Sequence, residues 1–333
     1  MAEPRTPEEV YHIVVALSHE AAPYNALVDA LAGSDIPAGR YEVFRSSGEE
    51  HLRELIGDAE VVVAWHLEPE YVRRGKKLRW VHFASAGVDQ ALSPELVESD
   101  ILVSSSVGIH KWPVAESAFA MILAFARGLV PAFNQQRERS WERRRVADAM
   151  VELHDLTLGV IGLGHIGREV ARLGRAFGMQ VLGLDTAAAA EAEVDELFGR
   201  DGLGKLLSHS DFVVLCLPLT AETRGMFALD EIRVMKPTAY LINVARGSLL
   251  QEAILIEALR RHWIAGAGLD VFEHEPLPPN HPLYNLDNVI LTPHVAGVTP
   301  HYWDRMARVF VDNFRRFLAG EPLATPVDKA RGF

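Results

Sequence analysis

Short apolar runs alternate with polar, helix-compatible stretches along most of this chain, and the alternation itself predicts a fold. In the first hundred residues, Val10–Ser18, Tyr41–Phe44, Val61–Trp65, Leu78–Ala84 and Ile101–Ser104 are rich in Val, Ile and aromatic residues and read as strands. Between them, Ala22–Leu31 and Glu49–Leu55 carry helical spacing. Strand and helix in alternation predict a parallel sheet covered on both faces, because parallel pairing needs long crossovers. A second series opens at Leu158, with strands at Leu158–Gly162, Gln180–Leu184, Phe212–Leu217, Ala239–Asn243, Ala265–Asp270 and Val289–Leu291. Its helices are predicted at His165–Phe177, Leu203–Ser208 and Gln251–Arg261.

Between the two series the pattern changes. Val114–Val130 reads as one buried helix with Pro113 in its first turn, and Gln135–Arg145 is the densest charge run, read as a solvated helix face or domain edge. Tyr302–Leu318 reads as an amphipathic helix with Met306, Val309, Phe310, Phe314 and Phe317 on one face, suited to core packing against the first series. Two alternating series in 333 residues predict two domains. Lys+Arg 33 against Asp+Glu 45 gives a net charge of −12, which argues against a nucleic-acid or acidic-membrane binder. The one cysteine, Cys216, excludes an intrachain disulfide framework and a Cys-built metal site, and its apolar strand points to burial rather than nucleophilic use. The stretch Val114–Val130 carries Glu116 and Arg127 and is too short and too charged for a membrane span. The first twenty residues lack a long apolar run, so no secretory signal is expected and the protein reads as cytoplasmic.

Leu158–Gly167 reads LGVIGLGHIG, a strand running straight into Gly162-Leu-Gly164-His-Ile-Gly167 and then a helix. Gly162 permits the tight turn, Gly164 lets the backbone approach a pyrophosphate, and Gly167 packs helix against strand. The free N–H groups and dipole at the helix start then favour the anion. The next predicted strand ends at Asp185, 18 residues beyond Gly167, where a carboxylate can accept both ribose hydroxyls and repel a 2′-phosphate. No arginine follows in TAAAAEAEVDE, so NAD is expected over NADP.

Three further segments carry chemistry. Tyr240–Ser248 presents Arg246 after a strand, Gly268–Leu277 delivers Asp270 and then Glu275 beside Pro276, and Leu291–Gly297 places His294 on a loop. A guanidinium offers a planar, permanently charged fork to a carboxylate. An imidazole can deliver or remove a hydroxyl proton, and a carboxylate on its other nitrogen fixes the tautomer. Such a set suits 2-keto acid reduction, in which a nicotinamide carries the hydride.

The ordered blocks SAGVD (Ser85–Asp89), VAES (Val114–Ser117), GLGHIG, LPLTAET (Leu217–Thr223), MKPTAYLINVARG (Met235–Gly247), GLDVFEHEPLPPNHPLY, NVILTPHVAG and GEPLATPVDKARGF resemble the D-isomer-specific 2-hydroxyacid dehydrogenase family over essentially the whole chain. The resemblance implies two Rossmann-like α/β domains with parallel sheets. A discontinuous, flavodoxin-like substrate domain (residues 1–108 plus 299–333) would flank a dinucleotide-binding domain (109–298). It implies Arg246 for the substrate, Glu275 supporting the histidine and His294 as acid/base. It further implies Ser85 and the N–H groups of Ala86 and Gly87 at the substrate carboxylate. At the cofactor it implies His165 and Ile166 over the pyrophosphate, Leu217 and Pro218 against the adenine, Val244, Ala245 and Arg246 near the nicotinamide ribose, and Asp270 on the carboxamide, with His294 and Gly297 also in contact. Val114–Val130 would join the domains and contribute to a homodimer, and no added regulatory domain is expected.

Some features narrow that resemblance. Where phosphoglycerate-type relatives often carry arginine just ahead of the substrate loop, this chain has Phe83, against a phosphorylated substrate. Trp80–Asp89 and Trp112 lean to the glyoxylate/hydroxypyruvate reductase-like branch, several of whose members prefer NADP, while Asp185 argues for NAD. Glu275, in place of a glutamine, argues against formate dehydrogenase. His274, Glu275, His281 and His294 lack a His-Glu-x-x-His spacing, so no metal is expected, and Glu273, His274 and His281 read as surface loop residues. The competing class is an NADH-sensing, corepressor-type binding module on the same fold. The absence of an added partner-binding region argues against it.

Overall fold

The computed structural model describes residues 10–18, 20–88, 91–186 and 193–332. Two compact units emerge: one holds the chain up to Ile109 together with the part from Thr299 onward, and the other runs from His110 to Val298.

In the first unit, five parallel strands, β1 (Tyr11–Ala16), β2 (Tyr41–Arg45), β3 (Val61–Ala64), β4 (Trp80–Phe83) and β5 (Leu102–Ser105), lie in the order β2-β1-β3-β4-β5. That is a flavodoxin-like doubly wound order. β3 and β4 are buried along their whole length, which is why they read as unbroken apolar runs rather than alternating ones. The helix Tyr302–Ala319 lays Met306, Phe310, Phe314 and Phe317 into this unit's core, where Phe310 stacks on Trp80 at 5.0 Å between centroids. Val309, read on the same stripe, is only partly buried.

The second unit holds β6 (Thr157–Ile161), β7 (Gln180–Leu184), β8 (Glu196–Phe198), β9 (Phe212–Leu215), β10 (Tyr240–Asn243), β11 (Gly266–Leu269) and β12 (Val289–Leu291). All are parallel, in the order β12-β11-β10-β9-β6-β7-β8. The winding reverses between β6 and β9, and such a switch point opens a crevice at the carboxyl ends of the strands.

Three expectations are corrected. Val114–Val130 is not one helix: a helix Lys111–Ala126 ends at Gly128, whose φ of +63° suits glycine, and Leu129–Glu138 continues at a bend of 68°. Among the described residues no single helix is long and apolar enough to cross a membrane. β8 escaped the reading because it is only three residues long and follows residues 187–192, which lie outside the described set, as does Asp89 of the SAGVD block. Finally, His281 is no loop ornament. Its side chain is 15% exposed, its Nε2 lies 3.0 Å from Glu252 Oε1, and its Nδ1 accepts from Leu283 N–H at the start of a short 3₁₀ turn.

Candidate active site

Strand register builds the site before any side chain is considered. Ile161 pairs with Leu184 and Leu215, Leu215 with Asn243, Asn243 with Leu269, and Leu269 with Leu291. Six strands therefore end on one line, and the next residues are Asp185, Gly162, Cys216, Val244, Asp270 and Thr292. At about 4.8 Å per strand, β7 and β12 lie roughly 24 Å apart, a span fit for an extended dinucleotide.

At one end of that line, His294 Nδ1 sits 2.7 Å from Glu275 Oε2. A carboxylate only accepts, so Nδ1 carries the proton and Nε2 is the nitrogen left to work. Glu275 Oε1 in turn accepts from Phe272 N–H at 3.0 Å, which fixes the carboxylate's own orientation. His294 adopts φ +52°, a left-handed conformation costly for a non-glycine residue. Asp270 holds it there. The Asp270 carbonyl accepts from His294 N–H at 2.8 Å, while the carboxylate takes the Thr292 hydroxyl at 2.6 Å, Val295 N–H at 2.9 Å and Ala296 N–H at 3.0 Å. Asp270 is only 1% exposed, so its side chain is committed to the His294 loop.

Arg246 leaves β10 three residues after Asn243. The Asn243 amide donates to Arg246 O at 2.9 Å and its carbonyl accepts from Ala245 N–H at 3.1 Å, which shapes the turn. Next comes Gly247. A Cβ there would lie 1.9 Å from the Phe272 carbonyl carbon, so only glycine lets the Arg246 segment pack on the loop that carries Glu275. Val244 and Ala245 point into the unit's two cores, which leaves their backbone as the part facing outward.

The glycine turn behaves as its spacing demands. Gly162 has φ +92° and lies close under the Cys216 carbonyl, and a Cβ on Gly167 would meet Gly162 O at 1.8 Å. A Cβ on Gly164 would meet nothing within 4 Å. Packing thus explains the first and third glycines but not the second, whose bareness suits the close approach of a phosphate. Asp185 Oδ2 accepts from Leu163 N–H at 2.7 Å and ties the strand end to the turn. His165 opens the following helix, its ring pushed below the ordinary histidine range by partial desolvation and then by Lys111 and Arg168. Ile166 packs on the core below. Further along the edge, Leu217 is partly buried and Pro218 O accepts from the Thr223 hydroxyl at 2.8 Å. Gly297 packs against His110, whose Nδ1 a Cβ would reach at 2.9 Å. The Cys216 thiol is pushed up to about 12 by desolvation, which removes it as a nucleophile.

In the first unit, Ser85, Ala86 and Gly87 follow β4, and Gly87 is exposed. Glu273 and His274 are exposed, as expected, and among the described residues no group of three or more His, Cys, Asp or Glu could hold a metal. The sequence reading missed Asn243, Gly247 and Thr292. A polar residue closing an apolar strand (Asn243) and a glycine directly after the arginine were the available signals; nothing local marked Thr292.

Three comparisons bear on this geometry. The profile of the D-isomer-specific 2-hydroxyacid dehydrogenase NAD-binding domain matches residues 119–296. The chain is 37% identical over 273 residues to a glyoxylate reductase of Korarchaeum cryptofilum, covering 80% of this chain and 82% of that one. It is 35% identical to a D-3-phosphoglycerate dehydrogenase of Methanocaldococcus jannaschii, over 85% of this chain and 54% of that longer one. Its fold resembles the crystal structure of an NADPH-dependent glyoxylate/hydroxypyruvate reductase from Sinorhizobium meliloti, at a TM-score of 0.83, 28% identity, and 97% and 100% coverage of the two chains. A glycine turn fit for a dinucleotide, an acid-buttressed histidine on the same edge and these likenesses lead to one conclusion: the chain belongs to the D-isomer-specific 2-hydroxyacid dehydrogenase family, oxidoreductases that reduce 2-keto acids with NAD(P)H.

Proposed function

We propose that this chain reduces small, unphosphorylated 2-keto acids of the glyoxylate/hydroxypyruvate type with NADH, using His294 as acid/base, Glu275 as its support and Arg246 as the substrate's cation. The reading is carried by the 2.7 Å contact between His294 Nδ1 and Glu275, on a sheet edge that also bears the glycine turn. The Glu275 carboxylate stabilises the imidazolium that precedes proton delivery from Nε2 to the keto oxygen. Arg246 pairs with the substrate carboxylate and polarises the adjacent carbonyl. In the other unit, the family resemblance assigns the N–H groups of Ala86 and Gly87 to substrate binding. When bound, the nicotinamide supplies the hydride. Gly162, Gly164, His165 and Gly167 hold the pyrophosphate at the helix start, and we assign Asp270 to shaping the His294 loop.

Asp185 supports NAD over NADP, since its carboxylate at the end of β7 repels a 2′-phosphate. Phe83, fully buried, gives no cation to a phosphorylated substrate and weighs against phosphoglycerate chemistry. A homodimer is supported by large apolar side chains left open in and after the helix Leu129–Glu138, Phe133 at 58% and Trp141 at 95% exposure. The single, unpaired-by-disulfide cysteine suits the cytoplasm. The test is a screen of NADH and NADPH oxidation against glyoxylate, hydroxypyruvate, phenylpyruvate, 2-ketoisocaproate and 3-phosphohydroxypyruvate. Preferred turnover of glyoxylate or hydroxypyruvate with NADH is expected. Preference for the phosphorylated acid, or cofactor binding with no turnover of any acid, would overturn it. Asp185→Ala should erode the NADH preference, and an unchanged cofactor ratio would move that task to another group.

A further inference from the structure

Below the Ser85–Gly87 loop lies a polar chain that the reaction described so far does not use. Trp80, His82, Ser104 and Ser106 are each 0% exposed. Trp80 Nε1 donates to Ser104 Oγ at 2.9 Å, Ser104 Oγ lies 2.7 Å from His82 Nδ1, and His82 Nε2 lies 3.0 Å from Ser106 Oγ. Ser106 Oγ donates to the Phe83 carbonyl at 3.2 Å. The two ends fix every proton between them. Indole N–H is only a donor, so Ser104 accepts there and donates its own hydrogen to Nδ1; the Ser106 hydrogen is on Phe83 O, so Ser106 accepts from Nε2–H. His82 is thus a neutral Nε2–H tautomer, in keeping with a pKa brought down to about 3 by desolvation.

The chain ends on the loop's threshold. Ser106 N–H donates to both Phe83 O and Ser85 O at 3.0 Å, and the Tyr302 hydroxyl donates to Ala84 O at 2.7 Å. Three consecutive carbonyls, Phe83, Ala84 and Ser85, are therefore held from within, while the described residues offer no acceptor to the N–H groups of Ala86 and Gly87.

We propose that Ser106 and Tyr302 are positioning residues for substrate binding, anchoring these carbonyls so that the N–H groups of Ala86 and Gly87 stand ready for the substrate's carboxylate, with Trp80, Ser104 and His82 orienting Ser106 from behind. The inference rests on the proposed role of those two N–H groups. Anchored carbonyls fix the peptide planes that follow, and preformed donors bind an anion without an ordering cost at the moment of binding.

The experiment measures KM for glyoxylate, kcat, NADH affinity by fluorescence titration and Tm for Ser106→Ala, Ser106→Thr, Tyr302→Phe and, as a control, Arg246→Ala. Loss of one neutral hydrogen bond to the loop should raise glyoxylate KM about five- to tenfold in Ser106→Ala and Tyr302→Phe, while NADH affinity stays within about twofold. Ser106→Thr, which keeps the hydroxyl, should restore most of the KM. Wild-type KM in Tyr302→Phe, or a loss in Ser106→Ala that falls equally on NADH affinity, overturns the inference. Should Ser106→Ala fail to fold, Tyr302→Phe alone decides, because it removes one oxygen from a half-buried ring. Arg246→Ala separates the two levels: if it keeps normal kinetics the proposed function falls, whereas if it is crippled and the loop variants are normal only the positioning role falls.

Discussion

Along the carboxyl edge of the seven-stranded sheet, Asp185, Gly162, Val244, Asp270 and Thr292 each lead within a few residues to a group with its own chemistry. Along the same edge of the five-stranded sheet, β4 leads into Ser85–Gly87, where the groups proposed to meet substrate are main-chain N–H and the side chains that matter lie buried behind them. Both sheets are parallel and doubly wound. The difference lies in where the chemistry is stored. One edge presents charged side chains that a substitution can delete outright; the other presents backbone, which can only be moved. Deletions in the first should therefore cost catalysis, and changes behind the second should cost substrate affinity.

The sharpest way to break that contrast is Arg246→Ala, expected to lower kcat/KM by about 3–5 kcal/mol, roughly two to four orders of magnitude, measured by steady-state kinetics. Near-normal kinetics would remove Arg246 from the site. Gly247→Ala tests the packing that brings the Arg246 segment onto the Glu275 loop: its Cβ meets backbone at 1.9 Å, so about 1–3 kcal/mol of stability should be lost in denaturant unfolding, together with activity. Gly164→Ala should separate binding from folding, because its Cβ meets no protein atom. NADH affinity should fall about tenfold, or about 1.4 kcal/mol, with Tm unchanged, and an unaltered affinity would contradict the pyrophosphate assignment.

The last test belongs to the buried side of the comparison. His82 has a folded pKa of about 3 against 6.5 for the ordinary group, so between those values the unfolded chain binds the extra proton. Its contribution is complete above pH 6.5 and is lost as pH falls, at up to about 1.4 kcal/mol per pH unit. Unfolding free energies measured in urea at several pH values should thus show a shallower acid decline in His82→Asn than in the wild type. Identical slopes would mean that His82 is protonated in the folded protein.

What the sequence made legible follows the same division. The Gly162–Gly167 turn and Asp185 could be read because each sits directly after a Val- and Leu-containing strand, whereas the roles of Glu275 and His294 come from the family resemblance. Arg246 could be read, but not the glycine beside it, since Gly247 matters through Phe272, 25 residues away. Asp270 stood out as an acid closing a strand, yet its engagement by Thr292, Val295 and Ala296 emerges only when β11 and β12 pair. The helix predicted across Val114–Val130 failed at Gly128 because helical spacing continues past it into Leu129–Glu138, and only the left-handed φ marks the bend. Least legible of all was the Trp80–Ser104–His82–Ser106 chain, whose members lie on β4, on β5 and just past the end of β5 and meet only when the two strands pair.

The central claim, that His294 exchanges a proton with substrate while Glu275 supports it, is tested most directly by pH profiles of kcat/KM in both directions. Reduction needs imidazolium and oxidation needs the neutral ring, so reduction should fall as pH rises and oxidation should fall as pH drops. In Glu275→Gln kcat/KM for reduction should fall, because the imidazolium formed at His294 loses its anionic partner. Profiles that rise and fall together in the two directions, or wild-type kcat/KM in Glu275→Gln, would contradict the account.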